Sequence, residues 1–199
     1  MQKIAVYGGT FNPIHNGHIH VAKQFARLLG VEHVLLIPTM VPPHKEAPDL
    51  APADDRLAMC RLAEPQTLFQ VSDLELRREG PSYTADTLKE LKQLYPNSEL
   101  YLLMGEDMFL TVQNWWHPEV LYALSTLCAA PRSASGTKNL MEHAKLLERS
   151  GARSYIADIE YLPVSSTMVR SAVKHGQRIS ELVPSPVERY IYEHHLYLE

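Results

Sequence analysis

Residues 4–18 read Ile-Ala-Val-Tyr-Gly-Gly-Thr-Phe-Asn-Pro-Ile-His-Asn-Gly-His. The apolar run Ile4 to Tyr7 stops at Gly8 and Gly9, which predicts a buried strand entering a tight turn. Beyond Pro13 the periodicity changes, and Ile19, Ala22, Phe25, Ala26 and Leu29 recur at helical spacing. A helix is predicted from about Gly17 to Leu29, closed by Gly30. Val34 to Ile37 then forms a second buried strand, ended by Pro38. Strand, helix and strand in one short segment make a βαβ unit, with parallel strands and a right-handed crossover.

The alternation continues along the chain. The sequence predicts a helix around Leu57 to Leu62, capped by Asp54 or Asp55, and a weak strand at Phe69 to Val71. A helix follows from Ser82 to Leu94, with Leu88, Leu91 and Leu94 on one face. Leu100 to Met104 and Ser125 to Ala130 read as apolar strands, and Tyr155 to Ala157 as a short last one. Helices at Ser166 to His175 and Pro186 to His195 close the chain. The expected fold class is α/β: a single domain over 1–199, with a doubly wound Rossmann-like parallel sheet of five or six strands and helices on both faces. Pro42 to Pro48 and Pro131 to Thr137 read as the mobile loops on composition.

With 199 residues, 45% of them hydrophobic and 21% charged, the chain can bury a full core without staples. A net charge of −4 argues against broad binding to nucleic acid or an anionic membrane. It leaves room for a small anionic ligand, which feels only the field of its pocket. Cys60 and Cys128 form no CxxC pair and sit among apolar residues, so they read as reduced core residues of an intracellular protein. The first strand begins almost at Met1, and no apolar run approaches the ~20 residues of a membrane span. A cytoplasmic location is expected, and the composition is compatible with a homo-oligomer.

In doubly wound sheets, ligands bind beyond the carboxyl ends of the strands, where the chain leaves the first strand. There Gly8 and Gly9 allow close backbone approach, and Gly17 opens a helix whose N–H groups and dipole favour phosphate. His15 and His18 are three residues apart at that helix start, so both can face one phosphate. Neither a dinucleotide fingerprint nor a Walker loop is present. Two imidazoles at a helix N-terminus suit transfer at the α-phosphate of a nucleotide, where fixed donors stabilise charge on the non-bridging oxygens. A metal reading of this pair lacks a third ligand at a credible spacing.

The segment GGTFNPIHNGH resembles the (H/T)xGH signature of the nucleotidyltransferase superfamily. More closely, the chain from Lys3 to Tyr197 is similar to the bacterial nicotinate-nucleotide adenylyltransferases, with at least five motifs in the expected order. Val164 to Arg170 is similar to that family's ISSTxIR segment, and a helical stretch over about 165–197 would complete its ATP site. The resemblance implies that Gly8, Gly9, Thr10, Phe11, His15, His18, Gly105, Asp107, Ser166, Thr167 and Arg170 serve ATP. His18 would stabilise the transition state, with His15 binding phosphate beside it. His44 and Lys45, in a PPHK-like segment, are implied near the mononucleotide phosphate. Tyr83 and Thr84, in an SYTxDTL-like segment, are implied at the nicotinate carboxylate, though Ser82 or Thr84 could equally be plain helix caps. Trp115 is implied to stack on the pyridine ring, and Trp116 is a second candidate beside it. Arg132 matches a basic position in a family loop that reads differently here, and it is left outside the expected site. The family's commoner residue at position 12 is Asp, where this chain has Asn12.

The implied reaction is transfer of AMP from ATP to nicotinate mononucleotide, by in-line attack without a covalent enzyme intermediate. Mg²⁺ is the expected cofactor, held mainly by the ATP phosphates because no carboxylate cluster is dedicated to it. Nicotinamide mononucleotide or phosphopantetheine are rival acceptors. A nucleotide sensor that kept the fold and lost the chemistry is the rival from another class.

Overall fold

The computed structural model describes residues 2–40, 49–63, 67–132 and 136–198. Six strands form one sheet: β1 (Gln2–Gly9), β2 (His33–Pro38), β3 (Phe69–Val71), β4 (Ser98–Met104), β5 (Ser125–Ala129) and β6 (Arg153–Ile156). Their order is β3-β2-β1-β4-β5-β6, and every neighbouring pair is parallel. The order reverses between β1 and β4, so the crevice at their carboxyl ends is where a ligand is expected.

The helices are α1 (Asn16–Leu29), α2 (Ala53–Leu62), α3 (Thr84–Leu94), α4 (Glu106–Phe109), α5 (Pro118–Leu124), α6 (Gly136–Arg149), α7 (Ser166–Lys174) and α8 (Ser185–Glu193). Strand alternation sends side chains to both faces of the sheet. Ala5, Val34, Leu36 and Cys128 join the apolar cluster under α1, α2, α7 and α8. Ile4, Val6, Leu35, Ile37 and Leu102 join the cluster under α3 to α6. Continuous apolar strands are what two covered faces demand. Cys60 and Cys128 are unpaired and buried, and burial pushes both thiols up, as expected for inert core cysteines.

Three local expectations are corrected. Neither Asp54 nor Asp55 caps α2: Pro52 occupies that position, and both carboxylates lie in the first turn, where the helix dipole favours them. No side chain caps α3 either, because Tyr83 is its N-cap and the Ser82 hydroxyl instead accepts from the Met40 N–H at 3.1 Å. Third, Gly136 and Thr137 begin α6 rather than ending a loop. Leu140, Ala144 and Leu147 bury one face of that helix, at a helical spacing visible in the sequence. The proposed mobile stretch 42–48 lies outside the described residues, as do 133–135.

Candidate active site

The turn after β1 is held by an unusual capping arrangement. His15 is the N-cap of α1, and its ring Nδ1 accepts the His18 N–H at 3.4 Å. In return the His18 Nδ1 accepts the His15 N–H at 3.3 Å. A capping box is ordinarily made by Ser or Thr with Glu or Gln. Built from two imidazoles, it stacks the rings with centroids 3.6 Å apart and 26° between planes. Because each Nδ1 accepts, the Nε2 of each ring is left as the donor. Burial and then the Arg132 charge pull the His15 pKa down to about 4, so this ring is neutral at pH 7.

Small residues let this turn close. A Cβ on Gly9 would lie 3.1 Å from the Phe11 ring, and one on Gly17 would meet both the His15 ring and the Val164 carbonyl near 3.1 Å. Phe11 is buried in a left-handed conformation (φ 46°) and packs edge-on to His18 and Tyr7. From below, the fully buried Arg56 donates to the carbonyls of Thr10 at 2.8 Å and Thr39 at 2.7 Å, joining the loops after β1 and β2. Asn12 uses both sides of its amide. Its Nδ2 donates to the Asp49 carbonyl at 2.8 Å, while its Oδ1 accepts from the Ala51 N–H and the Tyr197 hydroxyl.

One cavity of about 440 Å³ lies over this turn, within the usual range for small-ligand sites. Gly8, Gly9, Thr10, Phe11, His15 and His18 line it, and so do Gly105, Ser166 and Thr167. Ser165 caps α7 by accepting the Met168 N–H, and the Ser166 hydroxyl donates to the Pro13 carbonyl at 2.9 Å. Helix α7 is thereby locked to the histidine turn. Two expected ATP residues stand back from the cavity lining. Arg170 donates to the Asn12 carbonyl at 2.9 Å and so supports the turn, and its Nε is buried without a partner. Asp107 pairs with Arg132 at 2.6 Å, while its neighbour Glu106 lines the cavity and accepts the Arg132 N–H. Arg132, outside the expected set, thus belongs to the cavity wall. Its position just past β5, at the strand's carboxyl end, was the available signal.

At the far side the cavity is lined by Tyr83, Thr84, Trp115 and Trp116. Trp116 is half exposed and stacks on Tyr83, with centroids 5.4 Å apart, whereas Trp115 packs against the α3-side core. Sequence reasoning ranked these two tryptophans by family resemblance; the exposed, stacked ring is the second. It also passed over Glu75, a buried carboxylate on the cavity wall whose Oε1 accepts from Thr87 at 2.7 Å. His44 and Lys45 lie outside the described residues.

A donor pair at a helix start, a second helix start locked to it, and an aromatic rim define the site of a nucleotidyl-transferring protein. The comparisons agree. The model of the cytidylyltransferase-like family matches residues 6–172. A relative from Dehalococcoides mccartyi (strain CBDB1), named a probable nicotinate-nucleotide adenylyltransferase, is 38% identical over 98% of this chain and 97% of its own. One of the same name from Synechococcus sp. (strain JA-3-3Ab) is 39% identical, covering 100% and 96%. The chain belongs to the cytidylyltransferase-like family, and within it to the nicotinate-nucleotide adenylyltransferases. The solved structure of Plasmodium falciparum nicotinic acid mononucleotide adenylyltransferase complexed with NaAD shares the fold, with a TM-score of 0.79 at 20% identity, over 99% of this chain and 98% of that one. Among the described residues no helix is long and apolar enough to cross a membrane.

Proposed function

We propose that this chain transfers AMP from ATP to nicotinate mononucleotide, forming nicotinate adenine dinucleotide and pyrophosphate. One observation carries the reading: a single cavity joins the His15–His18 pair and the start of α7 to the rim of Tyr83, Thr84 and Trp116. The first end suits a triphosphate, since helix N-termini and fixed donors favour anions. The second suits a flat aromatic acid, with a stacking ring beside a helix start.

A 5′-phosphate oxygen of the mononucleotide attacks the α-phosphorus of ATP. The bond from that phosphorus to the β-bridging oxygen breaks in line, and pyrophosphate leaves with the electron pair. His18 steadies the charge on the non-bridging oxygens, and the neutral His15 donates its Nε2–H to phosphate beside it. Donors already fixed by the capping box need no reorganisation as the charge develops. The Arg132 guanidinium adds positive charge on the same wall, next to Gly105. Mg²⁺, when bound with ATP, would neutralise the departing pyrophosphate. Its expected ligands are mainly the triphosphate oxygens, the usual mode for Mg²⁺ with a nucleotide.

The test is pyrophosphate release with ATP and each of four acceptors: nicotinate mononucleotide, nicotinamide mononucleotide, phosphopantetheine and none. Fastest release with the nicotinate compound supports the proposal. Release favouring another acceptor reassigns the rim, and ATP binding without release under every condition replaces the enzyme with a sensor.

A further inference from the structure

A carboxylate buried in the wall of a site for anionic substrates calls for a reason. Glu75 is 4% exposed, and burial pushes its pKa up even though several groups donate to it. The donors all come from the protein. Thr87 donates its hydroxyl at 2.7 Å, the nearby hydroxyls of Thr39 and Ser82 favour the charged form, and the Arg78 guanidinium lies 3.9 Å away. Arg78 in turn fills the Thr87 oxygen at 2.5 Å. Its near neighbours are groups of the protein's own frame, which points to a task in supporting the site rather than in ligand contact.

The hydroxyls near it fall on three segments: Thr39 just past β2, Ser82 just before α3, and Thr87 one turn inside α3. Ser82 is tied back to the β2 end through the Met40 N–H. The Thr87 oxygen also lies 3.3 Å from the Tyr83 carbonyl. Helix α3 has no side-chain cap, so its first turn is placed from its underside by this cluster. That turn carries Tyr83 and Thr84. The ATP end stands on β1, α1 and α7 instead.

We infer that Glu75 is a positioning residue of the acceptor end, holding the first turn of α3 through Thr87 while Ser82 ties the same turn to the carboxyl edge of β2. The inference rests on the proposed acceptor role of the Tyr83–Thr84 turn. Glu75 touches no reacting atom; it governs how well the turn meets the acceptor while leaving the ATP end alone.

The experiment is steady-state kinetics with each substrate varied in turn, alongside thermal melting, for Glu75→Leu, Glu75→Gln, Thr87→Val and the Glu75→Leu/Thr87→Val pair. Glu75→Leu is expected to raise KM for nicotinate mononucleotide about tenfold, with KM for ATP within about twofold, as loss of one supporting contact to a single substrate does. Glu75→Gln keeps an acceptor oxygen and restores most of the loss. The double variant is no worse than Glu75→Leu, because both changes break one cluster. Equal rises in both KM values, or no rise in either, overturn the inference. Should Glu75→Leu not fold, Glu75→Gln and Thr87→Val decide by the same split. Trp116→Ala is the control: if it raises the acceptor KM and the Glu75 and Thr87 variants do not, the positioning role falls alone. If none of them does, the acceptor-end reading falls with it.

Discussion

The two ends of the cavity are built in opposite ways. The histidine end is local: residues 8–18 supply the glycines, the cap and both rings, and His15 and His18 fix each other across one helical turn. The aromatic end, the proposed acceptor end, is assembled from the segment before α3, the tryptophan turn before α5, and the β2 edge, with the Ser82 hydroxyl taking the Met40 N–H between two of them. A local device tolerates drift elsewhere in the fold, because helix geometry sets its distances. An assembled one depends on how separate elements pack. Under the proposed function, the chemistry of nucleotidyl transfer falls on the local end and substrate choice on the assembled end.

The largest effect should come from the local end. His18→Ala is expected to lower kcat about 10²- to 10³-fold, the usual loss on removing a preorganised transition-state donor. If turnover stays within a few-fold of the parent, the catalytic role passes from His18 to another group.

His15 offers a second way to break the comparison, through stability rather than rate. Its folded pKa of about 4 lies below the unfolded value near 6.5. The native state therefore binds fewer protons in that window, and stability falls as pH drops from 6.5 towards 4. The full loss is about 3 kcal/mol, from 1.36 kcal/mol per pKa unit. His15→Asn, which can still cap α1, should unfold in urea with a correspondingly flatter pH dependence between pH 4 and 6.5. Equal slopes in parent and variant would show that the ring is not held neutral.

At the assembled end, Trp116→Ala should raise KM for nicotinate mononucleotide about tenfold, about 1.4 kcal/mol, with little change in KM for ATP. If Trp115→Ala alone produces that change, the stacking ring is the other tryptophan. The smallest effect is expected in the support of the histidine turn. Asn12→Asp loses the donor to the Asp49 carbonyl and should cost about 1 kcal/mol in thermal or urea unfolding, with kcat changed less than a few-fold. A large fall in kcat would instead make Asn12 part of the chemistry.

Much of this was legible in the chain. Apolar runs alternating with helical periodicity specify a parallel sheet covered on both faces, because each pattern buries its own residues whatever the partner. The Gly8 to His18 turn was legible for a similar reason: spacing along one helix start dictates which groups face together. Helix α6 was also there to be read, in Leu140, Ala144 and Leu147.

What tertiary structure alone decided concerns groups whose neighbours are distant in sequence. Arg170 has the right residue type for a phosphate clamp, and one of its guanidinium nitrogens reaches the Asn12 carbonyl 158 residues away. Trp115 and Trp116 are adjacent and chemically alike, and only packing lays one partly against the core at the cavity wall and the other onto Tyr83. Glu75 looks like an ordinary surface acid until Thr39, Ser82 and Thr87 close around it. Local geometry follows from backbone periodicity, which sequence carries in full; the burial and pairing of remote side chains follow from topology, which it carries only through the completed fold.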